Sequence, residues 1–120
     1  MVGFKKMKYN ELRVYKQALE GIRLIFSLTG EYPLKRQRYL VDQLQRASSS
    51  VLANIAEGYG RGSKADFARF LSISIGSINE IKAHLDVAKA IFPSLEIEDL
   101  VAFYESLGKQ IWSFRKSLQK

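Results

Sequence analysis

Between Phe67 and Phe92, apolar or small residues recur at alternating spacings of four and three: Phe67, Leu71, Ser74, Ile78, Ile81, Leu85, Ala88 and Phe92. Residues at that rhythm share one face of an α-helix, and the alternation of fours and threes is the seam of an antiparallel bundle or coiled coil. A β-strand cannot use it, because a strand turns successive side chains to opposite faces. The spacing therefore predicts one long helix over about 64–92. Pro93 ends it, since proline has no N–H to continue the ladder. Ser63 followed by Asp66 resembles a capping box at its start.

Three further helices follow from the same periodicity. The first is predicted over about 11–29, with Leu12, Tyr15, Ala18, Leu19, Ile22, Ile25, Phe26 and Thr29 as its stripe. Asn10 is its expected N-cap, Glu11 suits the positive helix start, and Gly30 and Pro33 close it. The second is predicted over about 35–57, with Leu40, Leu44, Ala47, Val51 and Ile55 on one face. Gly58, Gly60 and Gly62 are expected to stop it. The fourth is predicted over about 97–118, with Ser94 as N-cap and Leu100, Tyr104, Leu107, Ile111, Phe114 and Leu118 inward. Helices of some twenty residues are about 30 Å long, and short turns force neighbours to run antiparallel. The expected fold is all-α, an antiparallel up-down-up-down four-helix bundle occupying 1–120 as a single domain.

The apolar share of 47% supports a packed core, and 26% charged residues suit its surface. With no cysteine there is no disulfide framework and no thiolate chemistry, which fits a reducing cytoplasm. The N-terminal residues MVGFKKMKYNELRVYK show no apolar signal core, and no apolar run reaches the roughly 18 residues that span a bilayer. No membrane partner is expected. The formal charge of +7 favours polyanionic partners: nucleic acid, an anionic surface or an acidic protein. Basic residues cluster at Lys5, Lys6 and Lys8; at Lys35, Arg36 and Arg38; at Arg61, Lys64 and Arg69; and at Lys109, Arg115, Lys116 and Lys120. In a bundle of this topology the 35–38 turn lies at the opposite end from the 61–64 turn. No helix-turn-helix or other groove-reading motif is visible, so binding to nucleic acid would be backbone-directed and salt-sensitive.

Two helices carry more apolar surface than one core needs. Ile73, Val87 and Ile91 lie off the main stripe of the third helix, and Phe103 and Trp112 off that of the fourth. Such extra faces point to burial against another subunit; a wide stripe with scattered surface apolars is the alternative. Small and polar residues also share faces: Arg46, Ser50, Ala53 and Glu57 on the second helix, flanked by Asn54, and Ser72, Gly76 and Asn79 on the third, with Ser77 and Glu80 nearby. Small residues allow close backbone approach, which predicts a tight hydrogen-bonded contact. Glu57 faces the negative end of its helix dipole, so Arg46, Arg61 or Arg69 is expected to pair with it.

Catalytic patterns fail. A di-iron bundle needs Glu-x-x-His pairs, and His84, the lone histidine, has Ile81 three residues before it. Glu80 and His84 are one turn apart, but two ligands do not make a metal site. GYGRGSK lacks the spacing of a phosphate-binding loop and follows a helix rather than a strand. It still places backbone amides, Arg61 and Lys64 at a helix start, a weak anion signal. No cofactor is expected, and no enzyme.

Taken together, Gln43-Leu44-Gln45-Arg46-Ala47, Asn54-Ile55-Ala56-Glu57-Gly58, Gly60-Arg61, Phe67, Phe70, Gly76-Ser77 and Glu80 resemble the bacterial four helix bundle protein family, also called large-subunit ribosomal RNA intervening-sequence proteins. Leu12, Tyr15 and Ala18 are similar to that family's first-helix signature, where Trp often replaces Tyr15. The resemblance implies an up-down bundle assembling as a homopentamer. It also implies kinship with the accessory variability determinant of diversity-generating retroelements, a basic pentamer that binds nucleic acid and a reverse transcriptase. The family has no established catalytic residues to carry over. The expectation is therefore a non-enzymatic homo-oligomer that binds nucleic acid, RNA first, through Lys35, Arg36, Arg38, Arg46, Arg61, Lys64 and Arg69. Ile73, Val87, Ile91, Phe103 and Trp112 are its expected subunit contacts. The alternative is a protein-interaction scaffold, for example an accessory subunit of a reverse transcriptase, with charge serving solubility.

Overall fold

The computed structural model describes residues 8–119; Lys5, Lys6 and Lys120 of the basic clusters lie outside them. Four helices account for most of the described chain: α1 (Arg13–Thr29), α2 (Arg38–Gly60), α3 (Lys64–Ile91) and α4 (Glu98–Ser117). Single 3-10 turns at Tyr9–Glu11 and Leu34–Arg36 precede α1 and α2. The molecule is a rod of 48 × 21 × 20 Å.

Side-chain contacts fix the direction of each helix. Along α2 and α3, Arg46 meets Glu80, Ser50 meets Ser77, Val51 meets Ser74 and Gly58 meets Phe70. One number rises as the other falls, so the pair is antiparallel. Phe67 against Phe114, Ile78 against Gly108 and Lys89 against Glu98 show the same for α3 and α4. Gly21 against Tyr104 shows it for α1 and α4, as do the grooves that Leu12 shares with Phe114 and Leu28 with Leu100. Helices α1 and α2 are then antiparallel as well, and the bundle runs up-down-up-down.

The core is a column along the rod. Leu40, Leu44, Ala47, Val51 and Ile55 of α2 are buried, as are Phe67, Leu71, Ile78, Ile81, Leu85 and Ala88 of α3. Each of the Leu, Ile, Val and Phe side chains removed from water contributes about 1.5–3 kcal/mol, which favours the helical phase that buries them all. The seam position Ser74 is buried too, and its hydroxyl donates to the Val51 carbonyl at 2.9 Å.

Helix α1 departs from expectation. Leu19 and Phe26 are exposed, at 53% and 48%, and Tyr15 and Ile22 are half-buried. Of the expected stripe, Leu12, Ala18, Ile25 and Thr29 are buried, and Val14, Gly21 and Leu28 join them in facing the core. The eight residues expected as one stripe belong to two stripes about 100° apart by the helical period. Helix ends differ as well. Asn10 lies in the 3-10 turn, where Glu11 accepts the Lys8 N–H at 2.7 Å, and Leu12 occupies the α1 cap position. Ile97, not Ser94, precedes α4, and no side chain caps it. Helix α2 continues through Gly58 and Gly60; of these three glycines Gly62 alone takes positive φ, at 88°, and makes the turn. Gly58 serves close approach: a Cβ there would lie 2.6 Å from the Cβ of Phe70.

Candidate functional site

The antiparallel register divides the charges. A plane through Ile78 and Gly108, which face each other, crosses α2 near Ser48 and α1 near Ala18. Among the described residues, the half containing the α2–α3 turn holds Lys8, Arg13, Lys16, Arg61, Lys64, Arg69, Lys109, Arg115 and Lys116, against Glu11, Glu57 and Asp66. The other half holds Arg23, Lys35, Arg36, Arg38, Arg46, Lys82 and Lys89, against Glu20, Glu31, Asp42, Glu80, Asp86, Glu96, Glu98, Asp99 and Glu105. One half is strongly basic and the other slightly acidic, across a rod much longer than the roughly 8 Å over which salt screens a charge.

The seven expected cations do not gather. Lys35, Arg36 and Arg38 are exposed at the mixed-charge end. Arg46 lies on the α2–α3 face, 3.2 Å from Glu80, and bonds Gln43. Arg61 pairs with Glu57 at 3.0 Å, which answers the dipole conflict at that carboxylate. Arg61 and Arg69 both lie over the Phe70 ring, 4.9 and 4.6 Å from its centroid, and Arg69 approaches Asp66 at 3.8 Å. Lys64 is the first residue of α3, behind the Ser63 hydroxyl that accepts the Asp66 N–H at 3.1 Å.

Arg115 completes this end, and no local pattern singles it out. It lies 43 residues from Ser72 in sequence, yet its Nη1 is 3.4 Å from the Ser72 hydroxyl. Its half-buried side chain and Leu118 close a groove of about 540 Å³ whose other wall is Lys64, Ala65, Ala68 and Arg69. Among the described residues no carboxylate lines that groove. Lys116 stacks instead on Trp112, 4.9 Å above its ring.

The polar contact between α2 and α3 exists, and Ser50, Asn54 and Ser77 make it. Ser50 bonds Ser77 at 2.9 Å, and the Asn54 amide donates to the Ser50 carbonyl and hydroxyl at 2.9 and 3.1 Å. Ser72 and Asn79 turn toward α4 instead, and the Gly76 surface is open. His84 has a structural environment: its Nδ1 is 2.9 Å from the Glu80 carbonyl and its ring packs by Tyr39.

The apolar residues also fall on separate faces. Ile73, Val87 and Ile91 are 42–50% exposed and align along α3 on its α2 side. Trp112, 46% exposed, sits in the α3–α4 groove on the other side of that helix. Phe103 is half-buried against Tyr104 and Gly21. The exposed Leu19 and Phe26 form a further face, unexpected because the sequence places them in the core stripe.

Among the described residues no group of three potential metal ligands occurs, and no helix is long and apolar enough to cross a membrane. No curated protein matches the chain. Residues 10–113 match the family model described as 23S rRNA-intervening sequence protein. That span takes in all four helices up to the last turn of α4, and the chain belongs to the 23S rRNA-intervening sequence protein family.

Proposed function

We propose that this protein is a non-enzymatic, self-associating bundle that binds nucleic acid, RNA first, with its basic half. The observation that supports this most is the axial charge division: nine lysines and arginines against three carboxylates around one end of the rod. A phosphate backbone gains from such a surface by releasing its condensed counterions, whatever its sequence. Fluorescence anisotropy with a structured RNA across a salt series tests it. The expected plot of log affinity against log salt is steep and linear; absence of binding at low salt, or affinity independent of salt, refutes it.

Self-association, with five copies as the family resemblance implies, is supported by the aligned Ile73, Val87 and Ile91. Val87→Asp in an isolated chain should change stability by under about 0.5 kcal/mol, because the site is open. In an assembly using that face it should break the complex. Light scattering that gives 13.7 kDa for the unaltered protein at micromolar concentration refutes self-association.

The second apolar face, Leu19 and Phe26 on α1, favours a protein partner besides the self-contact, as in a scaffold or a reverse-transcriptase subunit. Capture of a partner that survives nuclease supports that reading, and loss of every partner on nuclease treatment removes it.

A further inference from the structure

The groove between the first turns of α3 and the end of α4 has the features of a specific anion site rather than a diffuse basic surface. Lys64 and Arg69 stand on one wall and Arg115 on the other, about 540 Å³ of space lies between them, and among the described residues no carboxylate faces in. The floor is small: Ala65 and Ala68 let a ligand approach the α3 backbone closely. The first turn of α3 leaves amide donors that its own ladder cannot use, at the positive end of a 28-residue helix.

Arg115 supplies an independent observation. Its Nε is buried and has no hydrogen-bond partner among the described residues. Among the described residues its one hydrogen bond to another side chain is the long 3.4 Å contact with Ser72, whose own hydroxyl donates to the Ala68 carbonyl at 3.2 Å. A buried Nε–H without an acceptor, on a side chain that is otherwise partly exposed, is costly and calls for an explanation. Swinging the fork outward to an oxyanion would lose little and would replace the orphan with a bidentate, charge-assisted pair. Arg46, Arg61 and Arg69 have no such incentive, being already near Glu80, Glu57 and Asp66.

We propose that this groove is a phosphate-binding site, with Arg115 as the fork and Lys64 and Arg69 as flanking charges. It deepens the nucleic-acid reading above and rests on it for the identity of the ligand as a nucleotide phosphate. The phosphate can come from a phosphodiester within a strand or from the phosphomonoester of a free nucleotide.

The test compares Arg115→Gln with Arg36→Gln, a charge change of the same size at the far end. A second variant, Ala65→Glu, puts a carboxylate on an exposed position of the groove and does not touch the core. Each is titrated with a 3′-labelled RNA bearing a 5′-hydroxyl, and the unaltered protein is also titrated with AMP while backbone amide shifts are followed by NMR. Arg115→Gln and Ala65→Glu are expected to weaken RNA binding about tenfold at 0.1 M salt, and Arg115→Gln to lower the salt slope by about one. Arg36→Gln should stay within about twofold. Shifts of the Ala65, Ala68 and Ser72 amides with AMP identify a free phosphomonoester as sufficient; shifts with RNA alone identify the strand phosphodiester. Equal losses for Arg115→Gln and Arg36→Gln, or no shift at these amides with either ligand, overturn the site. RNA binding that ignores Arg115 sinks the groove and leaves the nucleic-acid reading standing. Failure to bind RNA, with AMP shifts intact, does the reverse.

Discussion

Gly58 and Gly60 sit two residues apart in the last turn of α2, and the structure gives them opposite responses to the same methyl group. At Gly58 an added Cβ would lie 2.6 Å from the Cβ of Phe70 and 3.0 Å from a ring carbon of Phe67. Carbon atoms prefer about 3.5–4.0 Å, so the gap must open by about an ångström. Both atoms of the closest pair are fixed to their backbones, and no rotamer change relieves the clash. Either α2 and α3 separate or the turn distorts. Overpacking of this kind costs about 1–3 kcal/mol, from which up to about 1 kcal/mol is recovered because alanine suits a helix better than glycine. Gly58→Ala should therefore destabilise by about 1–2 kcal/mol. At Gly60 nothing lies within 4 Å and φ is not positive, so Gly60→Ala should gain about 0.5 kcal/mol. The two variants then differ by about 2 kcal/mol. At a urea m-value of about 1.5 kcal/mol/M their midpoints separate by about 1.3 M. Both are measured at one protein concentration, since self-association also stabilises. Equal midpoints, or Gly58→Ala the more stable, would falsify the close-approach reading of this contact.

Three other changes probe separate features. Ser63→Ala removes the hydroxyl that accepts the Asp66 N–H and should cost about 1 kcal/mol, whereas Ser63→Asp should keep the cap; equal melting temperatures for all three forms contradict this. Burial pushes the Tyr104 hydroxyl well above the ordinary tyrosine range, so the folded state holds a proton that the unfolded chain releases above about pH 10. Its contribution is complete below that pH and falls as pH rises: by pH 11 the unaltered protein should lose about 1.4 kcal/mol relative to Tyr104→Phe, and parallel pH–stability curves would dismiss it. Lys64→Glu replaces a cation at the start of α3 with an anion that suits the dipole. It should raise stability by about 0.5 kcal/mol while weakening RNA binding; a loss of stability would contradict the dipole argument.

How far the sequence could be read depended on whether a signal was local. The α3 stripe is legible because every member lies within a turn of the next, and burial of nearly all of it confirms the phase. Gly62 is legible as a turn residue, but Gly58 is not distinguishable from it without the position of Phe70. In α1 the sequence offers two apolar stripes of similar strength, and hydrophobicity alone cannot say which faces inward. The choice is made by size. Gly21 lets Tyr104 and Phe103 approach α1, which turns Ala18 and Ile25 inward and leaves Leu19 and Phe26 outside. The polar contact was visible as composition on α2 and α3, while its partners depended on a register that only the folded pair defines.

The basic end was less legible because no single helix carries it. It forms when the starts of α1 and α3 meet the ends of α2 and α4. At the helix ends, Arg61, Arg115 and Lys116 are where a macrodipole favours cations. At the helix starts the field has the opposite sign, yet α1 opens with Arg13 and no acid in its first turn, and α3 opens with Lys64. A cation there costs rather than contributes, by about 0.3–1 kcal/mol. Helix stability thus accounts for Arg61, Arg115 and Lys116 and opposes Arg13 and Lys64. The opposed cations are the ones whose presence calls for a ligand, and Lys64 is where that demand coincides with an open groove and an arginine short of acceptors.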